Sequence, residues 1–423
     1  MPFPEKHPST VLIESSYAWT RLAVAVLLMG VGVCGMYAVT VVLPLIQAEF
    51  GVSRADASLP YTATMVGFTI GGILMGRFSD RVGIMRPIML SALFLGGGLA
   101  LASFATSLWQ FVLIHGVVIG FLGTSATFGP LVADISHWFT RRRGLAVAIC
   151  ASGNYLGGTF WPPLMQALFD AFGWRTAYLI AGAICVLVMI PLALVLRRPS
   201  PIGGVETDAA PAAPISTRPL GLRPAVLQAL IVLAGISCCV AMSMPQVHIV
   251  AYCSDLGFAA QRGAEMLSLM LGAGIVSRMA SGWIADRIGA LRTLLLGGVL
   301  QAVALALFLP FNSLFSLYVV SAFFGLVQGG IVPMYALIVR DYFPAREAGA
   351  RVSLVLTATV FGLAIGGWLT GAIFDWTGSY HAAFIHGIGW NLLNLAIAIF
   401  FLRRSGRFSR LVAPAGRARR VTG

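Results

Sequence analysis

Long apolar stretches alternate with short polar breaks along nearly the whole chain, and most of the stretches are similar in length. A helix rises about 1.5 Å per residue, so crossing the roughly 30 Å hydrocarbon core of a bilayer takes about 20 mostly apolar residues. Twelve stretches meet that requirement: 22–46, 57–76, 87–106, 109–133, 144–168, 176–196, 225–250, 264–285, 291–309, 314–339, 352–373 and 381–402. They are numbered spans 1 to 12 below. The pattern predicts an all-α integral membrane protein with twelve transmembrane helices. One polar link is long, 197–224, and it carries Pro199, Pro201, Gly203, Gly204, Pro211, Pro214, Pro219 and Pro224. Such a segment does not fold alone and reads as a flexible linker between two six-helix bundles, 22–196 and 225–402. Segments 1–21 and 403–423 flank them, the second strongly basic.

The two halves echo each other. Gly76-Arg77-Phe78-Ser79-Asp80-Arg81-Val82-Gly83-Ile84-Met85-Arg86 returns as Gly282-Trp283-Ile284-Ala285-Asp286-Arg287-Ile288-Gly289-Ala290-Leu291-Arg292, 206 positions later (282 minus 76). Both read G-x-x-x-D-R-x-G-x-x-R. Phe139 and Arg142 reappear as Phe343 and Arg346, and Phe169-Asp170 with Gly173 as Phe374-Asp375 with Gly378. The bundles are therefore expected to be pseudo-symmetric, with a binding site between them that opens to either side. The motif has a mechanical reading. Asp80 and Asp286 sit at helix ends, where a carboxylate accepts bonds from the N–H groups of a neighbouring helix or pairs with arginine. Gly76, Gly83, Gly282 and Gly289 permit tight turns and close helix contact. With Arg81, Arg86, Arg287 and Arg292, they read as two charged latches across one face.

Composition agrees with the membrane assignment: 58% of residues are apolar and 10% charged. The net charge of +13 could point to nucleic acid, so its distribution decides. With the N-terminus inside, 24 of the 28 basic residues fall in cytoplasmic segments, and only Arg54, Arg175 and Arg262 fall outside. That asymmetry sets topology, with both termini cytoplasmic, and needs no nucleic-acid partner. The tail arginines from Arg403 onward lie where anionic membrane lipid could be met. Residues 1–20 carry no signal-peptide pattern, so the expected location is the membrane itself, as a multi-pass protein of a bacterial inner membrane. The six cysteines lie in or beside apolar runs with neither metal nor disulfide spacing. No cofactor is implied. Enzymatic activity is not expected, and a Walker A loop is impossible because Lys6 is the only lysine.

Twelve spans, the duplicated halves and the G-x-x-x-D-R-x-G loop after spans 2 and 8 resemble the major facilitator superfamily over essentially the whole chain. The resemblance implies a two-bundle transporter working by alternating access.

Arg278 breaks the symmetry. It is the one charged side chain placed deep inside a span, eight residues before Asp286 or about 12 Å along a helix. Its counterpart in the first half is Gly72. An intramembrane ionisable residue is costly and marks a functional site by default. The structural alternative is an arginine bonded to carbonyls or polar side chains purely for structure. The functional reading is a fixed cation whose planar fork grips a carboxylate.

A second resemblance sharpens this. Trp138-Phe139-Thr140-Arg141-Arg142-Arg143-Gly144-Leu145-Ala146, followed by Ser152-Gly153, is similar to the monocarboxylate transporter signature entering span 5. That branch, shared with the oxalate:formate antiporter group, carries a functional arginine in span 8, which maps onto Arg278. There are departures. The acidic-Gly-aromatic-x-Trp opening is missing, with Ser16-Tyr17-Ala18-Trp19 nearby instead. The branch's span-1 lysine has no equivalent, and neither has the second basic residue that oxalate carriers place in span 11. Gly274 stands where a proton-handling Asp is often found. One deep positive charge suits a monoanion better than a dianion.

The reading is a monomeric secondary carrier of a small organic monoanion, a monocarboxylate, with a lean toward proton symport and anion exchange as its alternative. Export of amphipathic drugs is the rival substrate class, although no acid is placed in the site for a cation. A non-transporting scaffold is the third, against which the retained Arg278 and both latches argue. Tyr37, His115, Asn154, Tyr155 and Gln328 are the further candidate substrate contacts, with Thr40, Gln246, His248 and Tyr335 as weaker ones, because polar side chains in a span turn from lipid. His115 is the histidine deep enough to carry a proton.

Overall fold

The structure, a computed structural model, describes residues 13–198 and 219–405. The N-terminal twelve residues with Lys6, most of the polar linker and the tail beyond Ser405 lie outside the described residues. Every regular element among the described residues is helical. Eleven helices are long and apolar enough to cross a membrane. One of them, Arg143–Val195, has 53 residues, about twice what a bilayer takes. Its backbone turns at Gly173 (φ 74, ψ 158), so it supplies both span 5 and span 6. The chain thus makes twelve passes, and an even number puts both described ends on one face, here called the terminal face; the opposite one is the far face.

Helices overrun the apolar stretches because polar termini find caps. Span 1 begins at Ser16, six residues before the apolar run, since the Ser15 hydroxyl accepts the N–H of Ala18 at 3.3 Å. Span 2 extends over Arg54–Val82 and span 8 over Ala260–Ile288, so most of each repeated motif continues the helix. Both stop at the motif's second glycine, Gly83 (φ 80) and Gly289 (φ 89), in a backbone region that other residues rarely take. Gly51 and Gly257 (φ 61 and 84) form another such pair 206 residues apart, so the duplication is visible in the backbone itself.

Within each bundle, close helix crossings replace the hydrophobic drive that lipid removes. Spans 2 and 4 meet at Gly67 and Gly71, where an added Cβ would lie 2.0 Å from the Gly116 carbonyl oxygen and 2.2 Å from that of Phe121. Spans 8 and 10 repeat the arrangement, Gly325 and Gly329 each standing 2.1 Å, by the same measure, from the carbonyls of Met270 and Gly274. Spans 4 and 10 are also the irregular ones. Span 4 widens into a π-helix over Ile114–Thr124, and span 10 breaks between Leu314–Gln328 and Ile331–Tyr342.

Arg278 is not the only charge withdrawn from solvent. Arg21, 1% exposed, grips Asp134 with Nε and Nη2 at 2.7 and 2.8 Å, and its Nη1 reaches the carbonyls of Leu196 and Arg198. The pair ties spans 1, 4 and 6 together near the terminal face. Sequence reasoning placed Arg21 in the N-terminal segment because it ended the apolar run one residue short of it. Removing one partner of a buried pair strands the other charge, at a cost of about 3–5 kcal/mol. Asp134→Ala is therefore expected to lower the unfolding temperature of the purified protein markedly, in a thermal melt read against the unaltered chain; an unchanged melt would show that Arg21 finds equal partners elsewhere.

Candidate substrate site and gates

Arg278 lies where the two bundles meet. Its Nη1 donates to the Ala151 carbonyl of span 5 at 3.0 Å, and its Nε to the Gly329 carbonyl of span 10 at 3.3 Å. The second acceptor exists for a local reason. In a regular helix the Gly329 carbonyl would take the N–H of residue 333, but that residue is Pro333 and the helix breaks at this level. The guanidinium also stacks over the Tyr155 ring at 4.5 Å. No acidic residue among those described pairs with it. Two neutral carbonyls and a ring orient the side chain without cancelling its charge.

Tyr155 is held in turn by Gly274. A Cβ at position 274 would lie 2.6 Å from Tyr155 Cε1, so the space that an acid there would need is filled by the ring. Tyr37 of span 1 donates to Asn154 Oδ1 at 3.0 Å and packs against Gly158. Asn154 precedes Tyr155 in the chain, so the Tyr37 bond adjoins the stack of Arg278 on Tyr155. On the other side, Gln246 of span 7 bonds to Gln328 of span 10, the residue before Gly329, leaving the Gln328 Nε2 buried with one donor set unused. Spans 1 and 5 from one half and 7, 8 and 10 from the other thus carry this polar cluster.

The remaining candidates go elsewhere. His115 is sealed in the first bundle, with Nδ1 3.3 Å from the Thr64 hydroxyl and its ring 4.4 Å from that of Phe111. It is not brought to Arg278. The Tyr335 hydroxyl joins the Ala234 carbonyl and Asn394 within the second bundle, and Thr40 bonds back to its own helix. His248 reaches the Gly367 carbonyl at 2.8 Å.

The contacts between the bundles described so far, and those nearer the far face, are close. Ser268 of span 8 bonds to the Thr159 carbonyl of span 5, a group freed by Pro163, and Thr62 of span 2 donates to the Ala364 carbonyl of span 11 at 2.9 Å. The two motifs lie on the terminal face, at the ends of spans 2 and 8. Asp80 and Asp286 are exposed, and neither makes an ion pair or hydrogen bond with another described residue. Gly76 and Gly282 have open space where a Cβ would go. Arg77, Arg81 and Arg86 are exposed, and Arg287 lies over Trp283 of its own helix at 3.7 Å.

The model of the Major Facilitator Superfamily matches residues 25–292 and 263–422. The chain belongs to the major facilitator superfamily. Monocarboxylate transporter 13 of Bos taurus is 30% identical over 331 residues, covering 78% of this chain and 75% of the relative. The MFS-type transporter opdF of Penicillium oxalicum is 26% identical over 414 residues, covering 95% and 94%. Among solved structures, a bacterial homologue of the human lysosomal transporter Spinster, in an inward-facing and occupied conformation, superposes with a TM-score of 0.69 at 16% identity over 95% of this chain and all of that one. Its likeness concerns the fold. Members of this superfamily are transporters, and this one is a multi-pass membrane protein, not an enzyme.

Packing separates the glycines of the site from those of the motif. A methyl group at Gly329 meets a backbone carbonyl that cannot move aside, whereas one at Gly76 meets nothing. Overpacking typically costs about 1–3 kcal/mol. Gly329→Ala is expected to lower the melting temperature and Gly76→Ala to leave it near the original value. Equal melts for the two would contradict the spans 8–10 crossing.

Proposed function

We propose that the protein is a secondary carrier of a small organic monoanion, a monocarboxylate, working by alternating access. The observation that carries this reading is Arg278: a cation at the junction of the bundles, oriented by carbonyls and a ring, with no acid to neutralise it. A carboxylate would satisfy the guanidinium fork with two charge-assisted bonds. Tyr37, Asn154, Tyr155 and Gln328 supply hydroxyl and amide groups for the rest of the anion, while His115 is left to pack the first bundle. The names of relatives such as monocarboxylate transporter 13 agree with this substrate class. A basic excess on the terminal face supports the reading of that face as cytoplasmic, and the proposed location is the inner membrane of a bacterium.

The deciding experiment is uptake of a panel of labelled monocarboxylates into proteoliposomes. Arg278→Ala is expected to abolish saturable uptake, a loss of about a hundredfold or more for a buried charge contact of 3 kcal/mol or above. Arg278→Lys keeps the charge without the fork and is expected to recover little. Near-normal uptake by Arg278→Ala ends the proposal. In the same vesicles an imposed pH gradient separates coupling modes. Symport, the favoured one, requires uptake that rises as external pH falls at clamped potential. Indifference to the gradient, with acceleration by unlabelled anion on the far side of the membrane, identifies an exchanger. Because Tyr155 fills the space beside Gly274, a co-transported proton would ride on another group or on the substrate.

Asp80 and Asp286 are assigned as latches of the cytoplasmic face, with Gly76 and Gly282 making room for the helix each carboxylate would meet. In the structure the Asp80 and Asp286 side chains are exposed. Asp80→Asn and Asp286→Asn should then favour a state open to the cytoplasm. Labelling of cysteines introduced into the cytoplasmic opening is expected to quicken in both variants. If neither changes the labelling rate, the motifs serve topology alone.

A further inference from the structure

The far face is bridged by a charged cluster whose arginine has no counterpart in the other half. Asp375, at the end of span 11, accepts the N–H of Arg54 at 2.8 Å and of Ala55 at 2.7 Å with its two carboxylate oxygens. These are the first two amides of span 2, and Ser53 takes the third, that of Asp56, at 3.1 Å. A carboxylate from the second bundle therefore caps a helix of the first, where the positive end of the helix dipole favours it. The Arg54 side chain, 6% exposed, continues the bridge. It holds Asp255 of span 7 through Nη1 at 3.1 Å and Nη2 at 3.2 Å, donates to the Tyr380 hydroxyl at 2.7 Å, and stacks on Phe374. Gly371 allows the approach, since a Cβ there would lie 2.8 Å from the Arg54 carbonyl oxygen.

The related positions in the other half do something different. Asp255 corresponds to Glu49 (255 minus 206), but Glu49 is paired with Arg175 of its own bundle at 2.8 Å. The second half has Tyr380 where the first has Arg175, so Asp255 has no such partner at home and takes Arg54 across the interface. Arg54 itself corresponds to Ala260, which has no charge to offer in return. Asp375 corresponds to Asp170, yet Asp170 accepts from Gln166 on its own helix at 2.9 Å, and the residue preceding span 8, Ala259, provides no side-chain cap. The opposite seam, spans 5 and 8, closes through Ser268 and small residues instead.

We propose that Arg54, Asp255 and Asp375 form a one-sided clamp that holds the far face shut, and that opening this face to the outside requires breaking it at spans 2, 7 and 11. The consequence for transport rests on the alternating-access reading; the clamp itself does not. Its test needs no substrate. Cysteines introduced at the exposed positions Thr106 and Phe311, in loops of opposite bundles on the far face, take spin labels, because the six native cysteines are buried. Distances are then measured on the full chain in lipid nanodiscs. Asp375→Asn and Asp255→Asn are each expected to raise the long-distance population about fivefold, the effect of losing about 1 kcal/mol of charge–dipole or ion-pair contact. Arg54→Gln should do at least as much. Asp170→Asn, which removes the related carboxylate, should leave the distribution as it was. Unchanged distances in Asp375→Asn, Asp255→Asn and Arg54→Gln overturn the clamp. An equal shift in Asp170→Asn overturns its one-sidedness. Near-normal substrate uptake by Arg278→Ala with the distance shifts intact would remove the transport reading and leave the clamp standing.

Discussion

In a bilayer no water is available to a peptide group, so every N–H and carbonyl in a span must find its partner in protein. That constraint makes the chain helical, and it also makes each irregularity consequential. Pro163 and Pro333 withhold the N–H groups that the carbonyls of Thr159 and Gly329 would receive. Both carbonyls are taken up by side chains of span 8, Ser268 and Arg278. One freed acceptor helps to join the bundles and the other helps to orient the cation. Proline placement and site geometry are thus one problem, solved on the same pair of faces.

The same constraint explains how charges are carried. Arg21 is fully satisfied by Asp134 and by carbonyls inside a single bundle, and so has nothing left for a ligand. Arg54 is satisfied across the interface by Asp255 and Tyr380, and so belongs to a conformation. Arg278 is oriented by carbonyls and a ring without an acidic partner among the described residues, which is why it is the one proposed to meet a substrate. The partner, more than burial, separates these roles: each is an arginine withdrawn to some degree from solvent.

Much of this was legible in the sequence. Twelve spans follow from run length, and the halves follow from the repeated motif, because both signals are periodic and local. Arg278 stood out because a lone charge in an apolar run has few explanations. Tyr37, Asn154 and Tyr155 were recognisable as polar residues in spans 1 and 5 and do lie with it, while His115, chosen on the same grounds, does not. Depth along a helix can be read from sequence; the direction a side chain faces depends on packing between spans and cannot. Arg54 was read as one of three external arginines and Arg21 as part of the N-terminal segment, since each lies just beyond an apolar run and extends the helix only because a cap is present. The signal that could have found the clamp was Asp375, already noted as repeating Asp170, set beside the loss of the basic residue that pairs with Glu49.

Duplication gives a carrier two equivalent seams, and a perfectly symmetric pair would bind the two bundles alike on both sides of the site. This chain departs from symmetry at two charges. Arg278 stands where the first half has Gly72 and puts the cation on one wall of the proposed site, so in the proposed function an anion would be held by the second bundle and only contacted by the first. Arg54 replaces the counterpart of an alanine and puts the charged closure on the seam of spans 2, 7 and 11, away from the seam of spans 5 and 8 where Arg278 and Tyr155 sit. Separating the two would keep the proposed carboxylate substrate from competing with Asp255 and Asp375 for one arginine. A single basic residue serving both seam and substrate would open whenever it bound; two residues on different seams allow binding and opening to be coupled through the rigid body of the bundle.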